Sequence, residues 1–123
     1  MATIKRMKKD ESLTILTVSG LITRDEIIQA FEDFINHEVT TNLLWDFIDA
    51  DLSSITRVDL EQIVMFSKPY AHLRKNGKTA FLVPKDLPFG LSRMYQTFTE
   101  IKEHPILVSV FRSQEEALVW LAE

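Results

Sequence analysis

The chain has no cysteine, only three glycines and four prolines among its 123 residues. No apolar run approaches the roughly 20 residues of a membrane-spanning helix. Each absence removes a class of chemistry. Without cysteine there is no disulfide, no thiolate metal site and no cysteine nucleophile, which fits a reducing compartment. Three glycines leave little material for a loop that cradles phosphates, and no GxSxG, glycine-rich phosphate loop or HExxH pattern is present. No dense Lys/Arg run with interleaved aromatics occurs, so nucleic acid is not an expected partner. The N-terminus, MATIKRMKKDES, has the positive charge of a signal peptide but not the apolar stretch that should follow. The expectation is a cytoplasmic protein, not integral to a membrane.

What remains is enough for one domain, residues 1–123, that holds its core without metal or disulfide. Hydrophobic residues make up 46% and charged residues 26%, the balance of a soluble globular chain rather than a disordered one. Net charge is −4, but its distribution is uneven. From Asp25 to Glu61 there are ten acidic residues and one basic, Arg57; from Lys68 to Arg93 there are six basic residues and one acidic, Asp86. Such segregation either solvates two faces of one domain or steers a protein partner or a second copy of the chain.

Periodicity predicts the order ββαβαβαβα. Ala2–Lys9 reads as a lysine-bearing edge strand, and the Asp10–Ser12 turn should fold it antiparallel onto Leu13–Ser19, where Gly20 breaks the strand. Thr23 and Glu26 form a capping box for a helix, Thr23–Asn36, with Ile27, Ala30, Phe31, Phe34 and Ile35 inward. Leu43–Ile48 is the third strand. A helix spans Arg57–Lys75 with Leu60, Ile63 and Val64 inward; it should kink or restart at Pro69 and stop at Asn76–Gly77. The strand Lys78–Val83 follows. The helix Leu87–Glu103, capped by Asp86, presents Leu91, Met94, Tyr95, Phe98 and Ile101. The strand Ile106–Phe111 leads to a helix, Gln114–Ala122, with Ser113 and Glu116 as a second box. Alternating strands and helices imply a mixed, mostly parallel sheet of about five strands. Odd-numbered Trp45, Phe47, Phe81, Val83, Leu107 and Phe111 form one apolar set; even-numbered Leu44, Ile48, Ala80, Leu82, Val108 and Val110 form the other. Both faces therefore need a cover: helices, a second subunit or an apolar ligand.

Two stretches concentrate candidate site residues. Asp46, Asp49 and Asp51 lie at the end of the third strand, the edge where open α/β sheets place ligands. Bunched carboxylates suit a hard cation, but no calcium-loop spacing accompanies them, and loop aspartates also form turns; no metal is expected. Asp46, between apolar neighbours, is expected to bond a backbone amide near a helix start rather than to act in catalysis. In Phe89–Tyr95, Gly90 costs roughly 1 kcal/mol against alanine inside a helix. A close approach by ligand or backbone would explain it, with Arg93 and Tyr95 beside an anion or partner; the plainer alternative is a packing Gly90, a solvated Arg93 and a core Tyr95. His37, His72 and His104 pair with no serine or carboxylate at a recognisable spacing.

The segment Asp51–Ile63, DLSSITRVDLEQI, resembles the phosphoacceptor region of STAS domains, whose strand ends in Asp-Leu-Ser and whose helix opens with Asp-Ser-Ser-Gly-Leu. Asp51, Leu52 and Ser53 match the first part and Asp59 the aspartate of the second. Leu60 stands where the phosphorylated serine belongs, with Glu61 and Gln62 replacing the next serine and the glycine. Ser53, Ser54 and Thr56 do not occupy the matching place. The runs GKTAFLVPKDLPFGLSRMYQTF and VSVFRSQEEALVWL are similar to the bacterial SpoIIAA-like, STAS/SEC14-related family of small single domains, over nearly the whole chain. The resemblance implies βα units wound around a mixed sheet, a non-enzymatic regulatory module that binds a protein, and loss of the usual phosphoserine switch. Its SEC14 side implies, as the alternative, a carrier or sensor of a small apolar or lipid-like ligand. No cofactor is expected, and a homodimer is compatible. Catalysis by Asp46 or Asp49 is the least favoured reading.

Overall fold

The computed structural model describes residues 2–84, 89–101 and 104–123. The first two strands, β1 (Thr3–Asp10) and β2 (Leu13–Leu21), form the expected antiparallel hairpin. Asp10 closes it by accepting both the N–H and the hydroxyl of Ser12, at 2.8 and 2.9 Å. Strands β3 (Asn42–Asp51), β4 (Lys78–Leu82) and β5 (Leu107–Phe111) then add in parallel, so the five-stranded sheet keeps sequence order. Helix α1 (Arg24–Asn36) connects β2 to β3, α2 (Arg57–Ser67) connects β3 to β4, α3 (Phe89–Ile101) connects β4 to β5, and α4 (Gln114–Ala122) ends the chain.

This order decides which face is covered by what. Right-handed crossovers that always step in the same direction put every connecting helix on the same side. Accordingly α1, α2 and α3 share a core with Leu16, Val18, Trp45, Phe47, Phe81 and Val83. The opposite face is left to α4, which buries Ala117 and Leu121 against Leu13, Ile15, Leu44, Ala80 and Leu82. Helix α4 packs on β4 and β5, so Met7 and Ile48 on the same face stay 54% and 41% exposed.

The helices follow from their stripes and caps. Thr23 and Glu26 make both bonds of their box, and Ile27, Ala30, Phe31 and Phe34 are buried. His37 caps the far end, with Nδ1 2.7 Å from the Asp33 carbonyl. The second helix ends at Ser67, two residues ahead of Pro69, and continues as a 3-10 turn, Lys68–Arg74. Asn76 (φ 63°) then reverses the chain in a left-handed conformation.

Several expectations are corrected. Strand β2 runs through Gly20 to Leu21, because Gly20 takes a positive φ of 83° within the pairing instead of ending it. Strand β3 extends to Asp51 rather than Ile48, held by pairs Ser19–Asp49, Gly20–Ala50 and Leu21–Asp51. The parity of β5 is reversed: Phe81 pairs with Val110 and Leu82 with Phe111. Val108 and Val110 therefore join the α1–α3 side and Phe111 the α4 side. Only the Ser113 half of the second box is formed, accepting the Glu116 N–H at 3.4 Å. The Asp86 cap lies outside the described residues, as do the side chains of Phe89, Gly90 and Ile101.

Candidate functional site

A bulge shapes the acidic end of β3. Thr17 and Ser19 of β2 pair with Asp46 and Asp49 of β3, so β3 carries one extra residue there. Bulges re-aim side chains: Phe47 is buried, Ile48 and Asp49 both face solvent, Ala50 turns inward and Asp51 is exposed again. Asp46 accepts the Ile48 N–H at 3.0 Å, an amide of its own strand at the bulge rather than the expected one near a helix start, and lies on the sheet face away from Trp45 and Phe47. Asp51 accepts the Ser53 N–H at 2.9 Å. Ser53, through its hydroxyl first and its N–H second, holds the Asp51 carboxyl below its ordinary value.

The turn from Asp51 to Arg57 is tied down on all sides. Leu52 and Ile55 plug into the core. Ser54 donates its hydroxyl to the Ile22 carbonyl at 2.7 Å, and Ile22 donates its N–H to the Asp51 carbonyl at 3.1 Å. Thr56 and Asp59 form a capping box at 2.9 and 3.1 Å that the sequence reading had passed over. Arg24 reaches across from α1 to Asp59 and Gln62. Glu61 sits 3.9 Å from Arg57. Among the described residues no group of three or more His, Asp or Glu is placed to hold a metal ion. Leu60, at the place of the phosphorylated serine in the resemblance, is 5% exposed and packs into the core. One helical face away, Val58 and Met65 are 59% and 62% exposed. They are seven residues apart, so they share a face of α2.

A second constellation lies beneath α2 and α3. The structure parts Arg93 from Tyr95: Arg93 is exposed, and Tyr95 packs edge-on to Phe81 at 4.9 Å. Tyr95 lines a narrow cavity of about 60 Å³ that is walled mostly by apolar side chains such as Phe47, Leu60 and Ile63. Its polar lining includes Ser67, Arg74, Thr79, Thr99 and His104. Arg74 is 4% exposed. Its Nε donates to the Thr41 carbonyl at 3.1 Å, and Nη2 donates to the Lys78 carbonyl at 2.9 Å and the Thr79 hydroxyl at 3.0 Å. The guanidinium lies 5.6 Å from the Phe34 ring centroid. No described carboxylate pairs with it. Burial lowers its pKa to about 10, so it is still a cation at neutral pH. Burial likewise pushes the Tyr95 phenol up, partly offset by Ser67 and by the Arg74 charge; at neutral pH it keeps its proton.

Ser67 and His104 form a pair that looks nucleophilic and is wired otherwise. The His104 Nε2 lies 3.0 Å from Ser67 Oγ. His104 Nδ1 accepts the Ile106 N–H at 3.2 Å, so a neutral ring carries its proton on Nε2 and donates it to Ser67. Ser67 in turn donates to the Val64 carbonyl at 3.0 Å. Burial, then the charges of Arg74 and Lys68, push the His104 pKa down and keep the ring neutral. In this arrangement His104 does not act as a base toward Ser67. Sequence reasoning had singled out Tyr95 of this group and missed the rest. Its members come from four elements and their connections, and the one local sign was Arg74 three residues before Gly77.

No protein-family model matches the chain. No protein of curated function matches it either. Solved structures do match, six chains in all, and two of them follow. The chain is similar to an anti-sigma factor antagonist from Mycobacterium paratuberculosis, with TM-score 0.67 and 15% identity over 100% of this chain and 96% of that one. It is also similar to the anti-sigma factor antagonist SpoIIAA in its unphosphorylated form, with TM-score 0.51 and 12% identity over 98% of this chain and 96% of that one. Among the described residues no helix is long and apolar enough to cross a membrane. The single α/β domain, with its five-stranded mixed sheet and four helices, thus has the SpoIIAA-like STAS fold of the anti-sigma factor antagonists.

Proposed function

We propose that the chain is a non-enzymatic regulatory module that docks a protein partner through the outer face of α2 and the β3–α2 turn. The observation that carries this reading is the pair Val58 and Met65, two large apolar side chains exposed on one helix face beside Glu61. The adjoining turn is pre-organised by its own hydrogen bonds, so ordering it on binding costs little. Asp49, Asp51 and Ser53 supply the polar rim. Leu60 offers no hydroxyl, so the module acts without the phosphoserine switch of STAS domains. Both solved neighbours are regulatory proteins by their descriptions, which supports a partner of the protein class. The test is affinity capture from the native cell extract with wild type, Met65→Asp, Glu61→Lys and, as a distant control, Glu115→Lys. The expected result is one protein recovered by wild type and the control and lost by the two α2 variants, with melting temperatures of all four alike. Equal recovery by all four ends the reading.

A second reading, a carrier or sensor of a small ligand, is favoured by one specific observation: the apolar cavity with a buried cation in its wall. Native mass spectrometry of the protein as purified tests it. Mass that leaves on denaturation supports a carrier, and the same spectrum reports whether the apolar face beside Met7 and Ile48 pairs two subunits.

A further inference from the structure

The cavity has a chemical bias that narrows what it accepts. A buried cation is costly unless an anion compensates it. Arg74 is compensated by two carbonyls, one hydroxyl and the Phe34 ring, but by no described carboxylate. The polar groups that share its cavity are hydrogen-bonding side chains: the Tyr95 phenol, Ser67, Thr79, Ser92, Thr99 and His104. Arg74 and Tyr95 are close enough to act on each other's ionisation. With its phenol protonated, Tyr95 can donate. The remaining wall is aliphatic and aromatic, including Leu43, Phe47, Leu60 and Phe81.

We infer that this cavity binds a small apolar monocarboxylate, its carboxylate on the Arg74 guanidinium and the Tyr95 hydroxyl, its hydrocarbon part against Phe47, Leu60 and Phe81. This rests on the carrier reading above and names its ligand class. One guanidinium with hydroxyl donors matches one negative charge. A phosphate dianion would leave a second charge against apolar walls, which disfavours it. The volume of about 60 Å³ limits the hydrocarbon part to a few carbon atoms. It is several times the ~10–15 Å³ that one water needs, so a short-chain acid displaces a small group of waters.

The experiment is a titration of the full chain with propionate, butyrate and isovalerate, each beside its matched alcohol, followed by amide and Arg74 Nε–H resonances in ¹H–¹⁵N NMR. Saturable shifts with an acid at Arg74 Nε–H, Tyr95 and Thr99, and a much weaker response to the alcohol, are expected. Arg74→Gln should weaken acid binding by at least about tenfold, the ordinary worth of about 1.4 kcal/mol. Because that variant also changes the bonds to Thr41 and Lys78, Ser92→Leu provides an independent arm. Ser92 is buried in the cavity wall and makes none of the Arg74 hydrogen bonds, so leucine there takes up cavity space and leaves those bonds their partners. Loss of acid binding in a folded Ser92→Leu protein supports the assignment. Equal binding of acid and alcohol overturns the anion site but leaves a carrier of neutral ligands standing. No saturable shift with any compound overturns it, as does a site mapped outside the cavity; extra mass in the native spectrum would then keep the carrier reading alive.

Discussion

The β3–α2 turn and the cavity under α3 handle polar groups in opposite ways. In the turn, most carboxylates and hydroxyls bond neighbours two or three residues away: Asp46 with Ile48, Asp51 with Ser53, Thr56 with Asp59, while Ser54 reaches back to Ile22. In the cavity, nearby bonds to Lys78, Thr79 and Val64 are joined by partners far apart in sequence: Arg74 with Thr41, Ser67 with His104. The turn is exposed and locally satisfied, so its chemistry is mainly shape: a stiff, acidic rim beside the apolar pair on α2. The cavity holds a charge out of water, and carbonyls, a hydroxyl and an aromatic ring rather than a described carboxylate surround it. The lesson is that a dense cluster of carboxylates can be structurally occupied, while a single buried cation gives an apolar cavity its electrostatic sign.

Leu60 joins the two regions, since it sits in the first turns of α2 and lines the cavity. Leu60→Ser would restore a hydroxyl at the place that the resemblance assigns to the phosphorylated residue. It should also remove buried apolar contact and leave a hydroxyl in the core, for a loss of about 4 kcal/mol in urea unfolding. A loss under about 1 kcal/mol would mean that α2 can turn this residue outward and that turn and cavity are independent. Gly77→Ala comes next. A Cβ there would lie 2.3 Å from the Thr41 carbonyl oxygen and 2.6 Å from that of Arg74, both main-chain atoms that cannot swing away. The Thr41 carbonyl is also the acceptor for Arg74 Nε, so the strain falls on the buried cation. A loss of about 2–3 kcal/mol is expected in the same assay. Thr56→Ala should cost about 1 kcal/mol by opening one helix cap, with the cavity unaffected.

How much of this was legible in the sequence follows the same division. Local signals were readable: the Thr23–Glu26 box, the Asn76–Gly77 stop, and the α1 stripe that buries Ile27, Ala30, Phe31 and Phe34. The Thr56–Asp59 box escaped because aspartate replaces the usual glutamate or glutamine at its third position. The reversed parity of β5 was illegible, because Leu107, Val108, Val110 and Phe111 are apolar on both faces and only pairing with β4 sets their direction. Beyond its place three residues before Gly77, nothing in the sequence sets Arg74 apart from the other basic residues between Lys68 and Arg93. Its burial depends on Thr41, Lys78 and Thr79 closing round it, a tertiary fact with no periodicity. The acidic loop drew attention because charges adjacent in sequence are conspicuous; the cavity did not, because its polar groups meet only in space.

Acid titration separates the regions by pH window. His104 is held below its ordinary 6.5 by burial first and by Arg74 and Lys68 second. The unfolded chain therefore binds a proton there before the folded one does, and stability contributed by neutral His104 is lost as pH falls from 6.5 toward the folded value. Asp51 is held below its ordinary 3.8 by Ser53, as Asp10 is by Ser12. Their contribution is present above 3.8 and is lost only as pH falls through the lowered folded values. Thermal melts across pH should thus decline in two stages. His104→Gln should flatten the upper stage and spare the lower, while Asp51→Asn should soften the lower and spare the upper. The Asp51 effect should be the smallest of all, since solvent around an exposed carboxylate screens its hydrogen bonds. An upper stage that survives His104→Gln would place its proton uptake elsewhere and dissolve the contrast between a titrating cavity and a titrating turn.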